Sequence, residues 1–514
     1  MPLSLWYRLI IAALTGALLQ FISPPVYLHY LHWFCYVPLF MVLDPRHSIR
    51  SVKTNFWVGY LCGFVGIFFL FYWLAPTLVL FSNLNFFLSL FVLALFSAYL
   101  GLSYGLVFAL TTPLQKKFET GWIFLVPAVW VSLEFLTPNI FPYYQGVSQY
   151  RVPLTWQVAS VFGAYGLTYL IILTNCALAD LFLKLKQKRP INFKNLKPLA
   201  LVFCIMAAVL IYGHWRFDKI DKILSQAPRL RVGLIQFQEK MEERIRYSRR
   251  EAIDLLKKGS EKIMGIPMDL LVWPENSGLN NPYGEKSRNE FAEFLEPTSL
   301  ELAALEPSGV SLLAGGDKSG PGGLMWNRSY FINDQGIVMG SYDKMVLIPF
   351  GEYLPRPLSF LNRYITGLHT LEAGKNANYF QVGQFRFATP ICYEAILEKQ
   401  VRKMVDGDFL LNITDDGWFG NSAAPYQHAM LASVSAMEFG LPVVREAFNG
   451  INRVVEPNGA IVYETKPFEE KEEVVEVKMA KFKTPYKTWG RFFPYFCLLV
   501  SVWGVTTGIF FAKS

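Results

Sequence analysis

The feature that most constrains this chain is a series of apolar runs, each long enough to cross a lipid bilayer. A helix needs roughly 17–25 mainly apolar residues to span the hydrocarbon layer. Seven such runs precede residues 217–487, which have ordinary soluble composition, and an eighth run follows them. The predicted spans are Leu5–Ile22, Val26–Leu43, Phe56–Trp73, Phe86–Leu110, Gly121–Leu136, Ala159–Leu183, Pro198–Trp215 and Phe492–Ala512. We therefore predict a multi-span α-helical membrane bundle of eight transmembrane helices, together with a soluble domain.

Composition and charge agree with this division of the chain. Hydrophobic residues make up 53% of the sequence and charged residues only 17%, whereas soluble domains carry roughly 25% charged residues. Basic residues mark the cytoplasmic side of membrane proteins. The loops after the second, fourth and sixth predicted spans contain Arg46, Arg50, Lys53, Lys116, Lys117, Lys184, Lys186, Lys188, Arg189, Lys194 and Lys197, whereas the opposite loops contain only Arg151. We therefore predict cytoplasmic termini and an extracytoplasmic soluble domain, and the net charge of +8 requires no nucleic-acid partner.

Three domains follow from these spans. We predict a seven-span transmembrane bundle over residues 1–216, an extracytoplasmic domain over 217–487, and an eighth helix with a short cytoplasmic tail over 488–514. In the extracytoplasmic domain, alternating strands and helices indicate an α/β layered fold. The candidate strands are Leu230–Gln236, Asp269–Trp273, Val310–Ala314, Arg328–Ile332, Ile337–Tyr342, Phe385–Pro390, Phe409–Ile413, Val443–Phe448, Arg453–Glu456 and Val474–Val477. The candidate helices are Met241–Lys258, Glu285–Leu295, Tyr393–Val405 and Pro425–Glu438.

Three reactive side chains each follow a predicted strand of the soluble domain. Glu275 comes after an apolar run that ends at Pro274, and proline cannot continue a central ladder. Lys344 follows another strand, and Cys392 lies where a strand meets the predicted helix Tyr393–Val405. Cys392 is the only one of the six cysteines outside the predicted spans, so it has no disulfide partner in an oxidising compartment. Cys392 is either a buried, unreactive cysteine or a catalytic nucleophile.

These residue types fit acyl transfer through a cysteine. A thiol at a helix N-terminus is expected to ionise more readily, because the unpaired N–H groups stabilise the thiolate. Glu275 can act as general base, and the Lys344 ammonium, with a backbone N–H near Tyr393, can stabilise a tetrahedral oxyanion. Each signal is weak alone, since a charged residue after a strand is usually only solvated and a lone cysteine is usually inert. No metal or cofactor is predicted, because the sequence lacks zinc-ligand spacing and a phosphate-binding loop.

The residues around these three positions resemble a known family. Glu275 in Trp-Pro-Glu, Lys344 in Tyr-Asp-Lys and Cys392 in Ile-Cys-Tyr-Glu are similar to the Glu-Lys-Cys triad of the nitrilase, or carbon-nitrogen hydrolase, superfamily. That resemblance implies a four-layer α-β-β-α sandwich and a covalent acyl-enzyme. Seven spans before such a domain and one after it resemble the apolipoprotein N-acyltransferase branch. Further similar motifs occupy residues 349–355 and 412–420 and the pair Gln427-His428.

The resemblance implies a reaction and a place for it. Cys392 would take an acyl chain from a phospholipid and pass it to the N-terminal amine of diacylglyceryl-cysteine on an apolipoprotein, with ping-pong kinetics. The enzyme would be a monomer in the bacterial inner membrane, with its catalytic domain in the periplasm. The resemblance also assigns five accessory residues, which are Glu352, Tyr393, Glu394, Trp418 and Phe419. The first would orient Lys344, the next two would flank the nucleophile, and the last two would lie near the mouth of the active site.

Some features depart from the family pattern or leave alternatives open. The run Gln236–Lys240 differs from the usual motif, and Arg453 stands where a small or uncharged residue is more common. The long segment Phe350–Phe380 could dip into lipid, close over a site or pack on its own domain, and His428 is expected to support the helix that carries it. Three other functions compete with the acyltransferase. A membrane-tethered amidase would have the same triad, a transporter would carry paired charges at mid-membrane, and an inactive scaffold is the third.

Overall fold

Two compact units make up the chain. The computed structural model describes residues 4–43, 49–82, 84–188, 192–239, 241, 247, 249–280, 310–356 and 370–510. Within these residues, the first unit draws on 1–75, 86–217 and 484–514, and the second draws on 76–85 and 218–483. The predicted helix Glu285–Leu295 and the middle of the predicted long loop lie outside the described residues.

Helices form most of the first unit. The helices of the described chain are α1 (Leu5–Ile22), α2 (Val37–Met41), α3 (Ile49–Leu70), α4 (Leu74–Ser82), α5 (Phe86–Phe118), α6 (Trp122–Leu136), α7 (Pro153–Trp156), α8 (Ala159–Phe162), α9 (Ala164–Lys186), α10 (Phe193–Leu224), α11 (Arg249–Glu261), α12 (Glu398–Val401), α13 (Ala424–Phe439), α14 (Pro485–Trp489) and α15 (Phe492–Phe510). Of these, α1, α3, α5, α9 and α10 are long and apolar enough to cross a membrane. Helices α6 and α15 are apolar but shorter. The protein is therefore a membrane protein with an N-terminal helical region.

Two predicted spans do not form continuous helices. Residues 26–43 contain a 3₁₀ segment, His29–Trp33, and the short helix α2 instead. Pro38 lies in the first turn of α2, where a missing N–H costs little, but the same residue would break a helix that continued from residue 26. The prediction of one spanning helix over Val26–Leu43 is therefore wrong. The predicted span Ala159–Leu183 is also divided, because Gly163 has a φ of 67° between α8 and α9.

The second unit contains two β-sheets. The strands are β1 (Arg229–Gln236), β2 (Leu270–Trp273), β3 (Leu279–Asn280), β4 (Ser311–Ser319), β5 (Met325–Ile332), β6 (Val338–Asp343), β7 (Phe380–Val382), β8 (Phe385–Ala388), β9 (Phe409–Thr414), β10 (Val443–Ala447), β11 (Arg453–Val455), β12 (Ile461–Glu464) and β13 (Lys471–Lys478). The first sheet has the order β13-β1-β2-β4-β5-β6, with β3 beside β4, and the second has the order β12-β11-β10-β9-β8-β7. All ten predicted strands are present, whereas β3, β7 and β12 were not predicted.

The central strands of both sheets are parallel, and the two sheets pack against each other. Strands β1, β2 and β4 are mutually parallel in the first sheet, and so are β8, β9 and β10 in the second. The strands β2 and β9 are fully buried, as expected for nearly continuous apolar runs in parallel sheets. The two sheets meet through aromatic contacts such as Phe331 with Phe387, whose ring centroids are 5.7 Å apart. The residues that follow β2 and β9 meet between the two sheets, where the Asp415 N–H donates to Glu275 Oε2 at 3.0 Å.

The prediction of a continuous helix over Tyr393–Val405 is also wrong. A 3₁₀ segment, Cys392–Ile396, and the four-residue helix α12 occupy this stretch. Leu397 between them is extended, with φ −98° and ψ 97°. The Glu394 carboxylate accepts a hydrogen bond from the Ile391 N–H at 2.9 Å, and this bond stabilises the first turn of the 3₁₀ segment. Cys392 therefore does not begin an α-helix.

Candidate active site

Glu275 is a buried carboxylate with three hydrogen-bond donors around it. It follows β2, and only 3% of its surface is exposed. Its Oε1 accepts from Asn327 Nδ2 at 2.6 Å and from Lys344 Nζ at 3.3 Å, and its Oε2 accepts from the Asp415 N–H at 3.0 Å. Burial raises the pKa of Glu275, although the Lys344 ammonium opposes that shift. The carboxylate is thus fixed in position and is a stronger base than an exposed glutamate.

Lys344 lies between two carboxylates. Its side chain is buried, and its Nζ is 3.3 Å from Glu275 Oε1 and 2.6 Å from Glu352 Oε1. The other oxygen of Glu352 accepts from the Ile348 N–H at 2.8 Å. Burial alone would lower the pKa of Lys344, but the two carboxylates raise it well above its ordinary value. Lys344 is therefore a fixed cation, and the structure places Glu352 in contact with it.

Cys392 lies beside this ion-pair cluster in a strained backbone conformation. Its φ is 50°, a region that costs a non-glycine residue about 1–3 kcal/mol and persists only where the surroundings enforce it. The thiol is buried and lies within electrostatic reach of Glu275 and Lys344, and the Thr414 hydroxyl hydrogen bonds to it. The structure thus brings the three predicted catalytic residues together.

The protonation of Cys392 differs from the expectation drawn from the sequence. Burial, followed by the Glu275 carboxylate, raises the pKa of the thiol well above its ordinary value, while Lys344 and Thr414 partly oppose the shift. A five-residue 3₁₀ segment also lacks the dipole of a long helix. The predicted thiolate at a helix N-terminus is therefore wrong. Cys392 rests as a thiol, and the nearby base has to remove its proton.

Glu394 ties the cysteine turn to the end of β6. Its carboxylate accepts from the Met345 N–H at 2.7 Å, the Val346 N–H at 3.0 Å and the Tyr342 hydroxyl at 2.8 Å. These groups immediately surround Lys344 in the sequence, so one buried carboxylate couples the position of the lysine to that of the cysteine. Its neighbour Tyr393 is also buried.

Trp418 and Phe419 lie on a 3₁₀ segment that follows β9. The segment covers Asp416–Phe419, and the Asp415 side chain caps it by accepting from the Gly417 N–H at 3.2 Å. Both aromatic side chains are partly exposed. The Asp415 N–H also donates to Glu275. Trp418 therefore lies only three residues along the chain from a group that contacts the proposed base.

Comparison with known proteins identifies the family. The family described as Apolipoprotein N-acyltransferase N-terminal domain matches residues 15–177, and Carbon-nitrogen hydrolase matches residues 231–483. The apolipoprotein N-acyltransferase of Geobacter metallireducens is 28% identical over 504 residues, which cover 95% of this chain and 93% of that protein. The chain belongs to the apolipoprotein N-acyltransferase family. The family member from Haemophilus influenzae is also 28% identical, over 88% of this chain and 85% of its own length.

Among solved structures, an amidase of the nitrilase superfamily from Nesterenkonia AN1 is similar to part of this acyltransferase. The two are 18% identical, and the match covers 52% of this chain and 96% of the amidase with a TM-score of 0.38. The predicted membership of the apolipoprotein N-acyltransferase family is confirmed by the relatives and the two matched families, and so is the prediction of an acyltransferase.

The two departures from the family pattern have structural explanations. Arg453 is buried on β11, where it forms an ion pair with Glu464 at 2.6 Å on the neighbouring strand and donates to Ser433 Oγ at 2.9 Å. Gln236 hydrogen bonds to Thr465, and Phe237 stacks on Phe448 with ring centroids 4.9 Å apart. In this acyltransferase both departures therefore contribute to the packing of the domain.

A buried polar network next to the triad was not predicted. Arg445 on β10 donates to Asn412 Oδ1 and to Asp416 Oδ2, each at 2.6 Å. Asn412 in turn donates to the Pro390 carbonyl at 2.9 Å, two residues before the nucleophile. The sequence showed Asn412 and Arg445 inside two predicted strands that are mainly apolar, and the sheet register pairs these two residues. In the described part of the chain, no group of three or more His, Cys, Asp or Glu side chains is arranged to hold a metal.

Proposed function

We propose that this acyltransferase moves a fatty acyl chain from a phospholipid to the N-terminal amine of diacylglyceryl-cysteine on an apolipoprotein. The acyl chain is carried as a thioester on Cys392. The observation that supports this proposal most strongly is the buried Lys344, held between Glu275 and Glu352 beside the thiol. A base, a fixed cation and a nucleophile in one buried site are what acyl transfer requires. The names of the relatives support the choice of acceptor.

In the first half-reaction the thiol becomes an acyl thioester. Glu275 removes the proton from Cys392 Sγ, and the sulfur attacks the ester carbonyl of the phospholipid. The Lys344 ammonium and a backbone N–H near Tyr393 stabilise the oxyanion of the tetrahedral intermediate. When the intermediate collapses, the carbon–oxygen bond of the ester breaks. The leaving lysophospholipid alkoxide then takes the proton back from Glu275.

In the second half-reaction the thioester is consumed by an amine. The neutral N-terminal amine of the lipoprotein attacks the thioester carbonyl, and Glu275 accepts a proton from the amine nitrogen. The carbon–sulfur bond then breaks, the sulfur of Cys392 regains a proton, and an amide remains on the lipoprotein. Water would give a free fatty acid at this step, so the site has to favour the amine. The partly exposed Trp418 and Phe419 fit a role in contacting the lipid substrates.

The proposed setting is the bacterial inner membrane, with both termini in the cytoplasm and the catalytic domain in the periplasm. The basic loops support this orientation. We assign eight membrane crossings, of which the second is the broken segment 26–43 and not a single helix. The domain limits are 1–216, 217–487 and 488–514, and the catalytic domain is a four-layer α-β-β-α sandwich built on its two sheets. We propose that the protein acts as a monomer, since one chain supplies every proposed catalytic group and the chemistry needs no second copy.

A two-step assay tests the proposed function. Purified protein is incubated with phospholipid alone, and intact-mass spectrometry is used to detect a hydroxylamine-sensitive fatty-acyl adduct. The wild type and a Cys204→Ala control should gain the adduct, and Cys392→Ala should not. A labelled diacylated lipopeptide should then discharge the adduct without release of free fatty acid. No adduct on the wild type would refute the thioester, and fatty acid released to water would instead identify a hydrolase.

A further inference from the structure

His428 links helix α13 to the backbone of the nucleophile. Its ring Nε2 is 3.3 Å from the Cys392 carbonyl oxygen, and its Nδ1 is 2.8 Å from Asp416 Oδ1. The second oxygen of Asp416 accepts from Arg445 Nη2 at 2.6 Å. All of these side chains are buried. His428 was expected to support its own helix, but its ring nitrogens instead face the turn that carries Cys392 and the segment after β9.

The contact with the Cys392 carbonyl also fixes the next N–H group. A trans peptide unit is planar, so its C=O and N–H bonds point in opposite directions. The carbonyl held by His428 and the N–H of Tyr393 belong to the same peptide unit. That N–H is the backbone donor in the proposed oxyanion site. Because Cys392 has a φ of 50°, the peptide needs such a contact to keep its orientation.

The ring contacts two oxygen atoms that can only accept a hydrogen bond. The Cys392 carbonyl therefore requires a proton on Nε2, and the Asp416 carboxylate, 2.8 Å from Nδ1, requires a proton on that nitrogen. The imidazolium form satisfies both contacts. Burial and the Arg445 guanidinium lower the pKa of His428, whereas the Asp416 carboxylate raises it and so favours the imidazolium.

We infer that His428 is a positioning residue, which holds the Cys392 carbonyl so that the following N–H points at the oxyanion of the tetrahedral intermediate. The inference rests on the proposed thioester mechanism. It assigns His428 to the orientation of the peptide, and not to proton transfer with the substrate. Asp416 and Arg445 keep the ring in place.

Two substitutions separate the two contacts of the ring. In His428→Gln the side-chain amide nitrogen falls near the position of Nε2 and can still donate to the Cys392 carbonyl. In His428→Asn the amide nitrogen falls near the position of Nδ1 and can donate a hydrogen bond only to Asp416. Single-turnover acylation of Cys392 by a p-nitrophenyl alkanoate is measured for both variants. We expect the Asn variant to lose about 10²-fold in the acylation rate constant, with little change in half-saturating ester concentration, as for a misplaced oxyanion donor. The Gln variant should stay within about threefold of the wild type.

Alkylation by iodoacetamide provides the matched control, because it consumes the thiol without forming an oxyanion. Both variants should alkylate at the wild-type rate. Equal losses in the Asn and Gln variants, an Asn variant as active as the wild type, or a parallel fall in alkylation would each overturn the inference. If the Asn variant does not accumulate, His428→Ala should show the same contrast between acylation and alkylation. Failure of the wild type to be acylated would refute the proposed function itself.

Discussion

The charge of Glu352 offers a quantitative test of the proposed site. Lys344 Nζ lies 3.3 Å from Glu275 Oε1 and 2.6 Å from Glu352 Oε1, so these two carboxylate oxygens are at most about 5.9 Å apart. At that separation and an effective dielectric constant of about 20, two unit negative charges repel by about 3 kcal/mol. This repulsion favours the protonated form of Glu275, and the Glu352 carboxylate indeed raises the pKa of Glu275. Replacement of Glu352 by glutamine removes the charge and preserves the shape.

The expected result of Glu352→Gln is a shift in the pH dependence of acylation. Glu275 is the proposed base, so the acid limb of the profile reports its protonation. Without the second carboxylate, Glu275 loses its proton at lower pH. The limb should therefore move to lower pH by at least about one unit, since about 1.4 kcal/mol is tenfold in proton affinity. The rate at the plateau should fall, because Glu275 becomes a weaker base and Lys344 loses one of its two anionic partners.

The assay is single-turnover acylation of Cys392 by a p-nitrophenyl alkanoate across the pH range in which the protein stays folded. Glu352→Asp is the matched control, because it keeps the negative charge, and its acid limb should remain close to that of the wild type. An acid limb that stays in place or moves to higher pH in Glu352→Gln would show that Glu275 is not the base, or that the charge of Glu352 does not reach it.

Three further predictions follow from other contacts of the same site. In Gly315→Ala, the new Cβ would lie 2.7 Å from the Glu275 Cα, so acylation should fall about 10²-fold while iodoacetamide alkylation of the thiol is unchanged. In Glu394→Gln, an amide N–H₂ replaces an acceptor that faces backbone N–H groups, so stability should fall by about 3 kcal/mol, read as a lower melting temperature in detergent. For Asp416, burial would raise the pKa, but Arg445 and His428 hold it at about 2 instead of 3.8. Its contribution of about 2 kcal/mol is present above about pH 4 and lost as pH falls through about 2. Asp416→Asn should therefore lower the stability at neutral pH and make the stability depend less on pH between about 4 and 2. An unchanged acid-unfolding curve would contradict this.

The sequence predicted the positions of the membrane helices better than their continuity. Hydropathy alone identified α1, α9 and α10, since each is a nearly uninterrupted apolar run. It failed over residues 26–43, which form a 3₁₀ segment and the short helix α2, because average hydropathy does not register local backbone preferences such as the cost of Pro38 inside a helix. Length and apolar content measure whether a segment can enter lipid. They do not measure whether its backbone can remain one helix.

The catalytic residues were predictable because each follows a strand, whereas the neighbouring polar residues that lie inside strands were not. Glu275 and Lys344 are polar residues at the ends of apolar runs, which the sequence shows directly. Asn327 and Arg445 lie within strands, and only the pairing of those strands with their neighbours brings them to the site. The turn at Cys392 is a tertiary effect of the same kind. Glu394 binds backbone N–H groups on a distant strand end, and that binding overrides the helical pattern of residues 393–405.

The resting charges of the site explain how a buried thiol can still be activated. With Cys392 as a thiol, the cluster contains one ammonium, Lys344, and two carboxylates, Glu275 and Glu352. Transfer of the thiol proton to Glu275 moves one negative charge from oxygen to sulfur and leaves the net charge of the cluster unchanged. Both the donor and the acceptor lie within reach of the Lys344 ammonium, so no new charge has to be buried. Ionisation of Cys392 alone would bury a third anion in the cluster, and burial together with the Glu275 carboxylate raises the pKa of the thiol for that reason. The activation of the nucleophile therefore depends on the base that accompanies it, which is why the loss of the predicted helix N-terminus leaves the proposed chemistry intact.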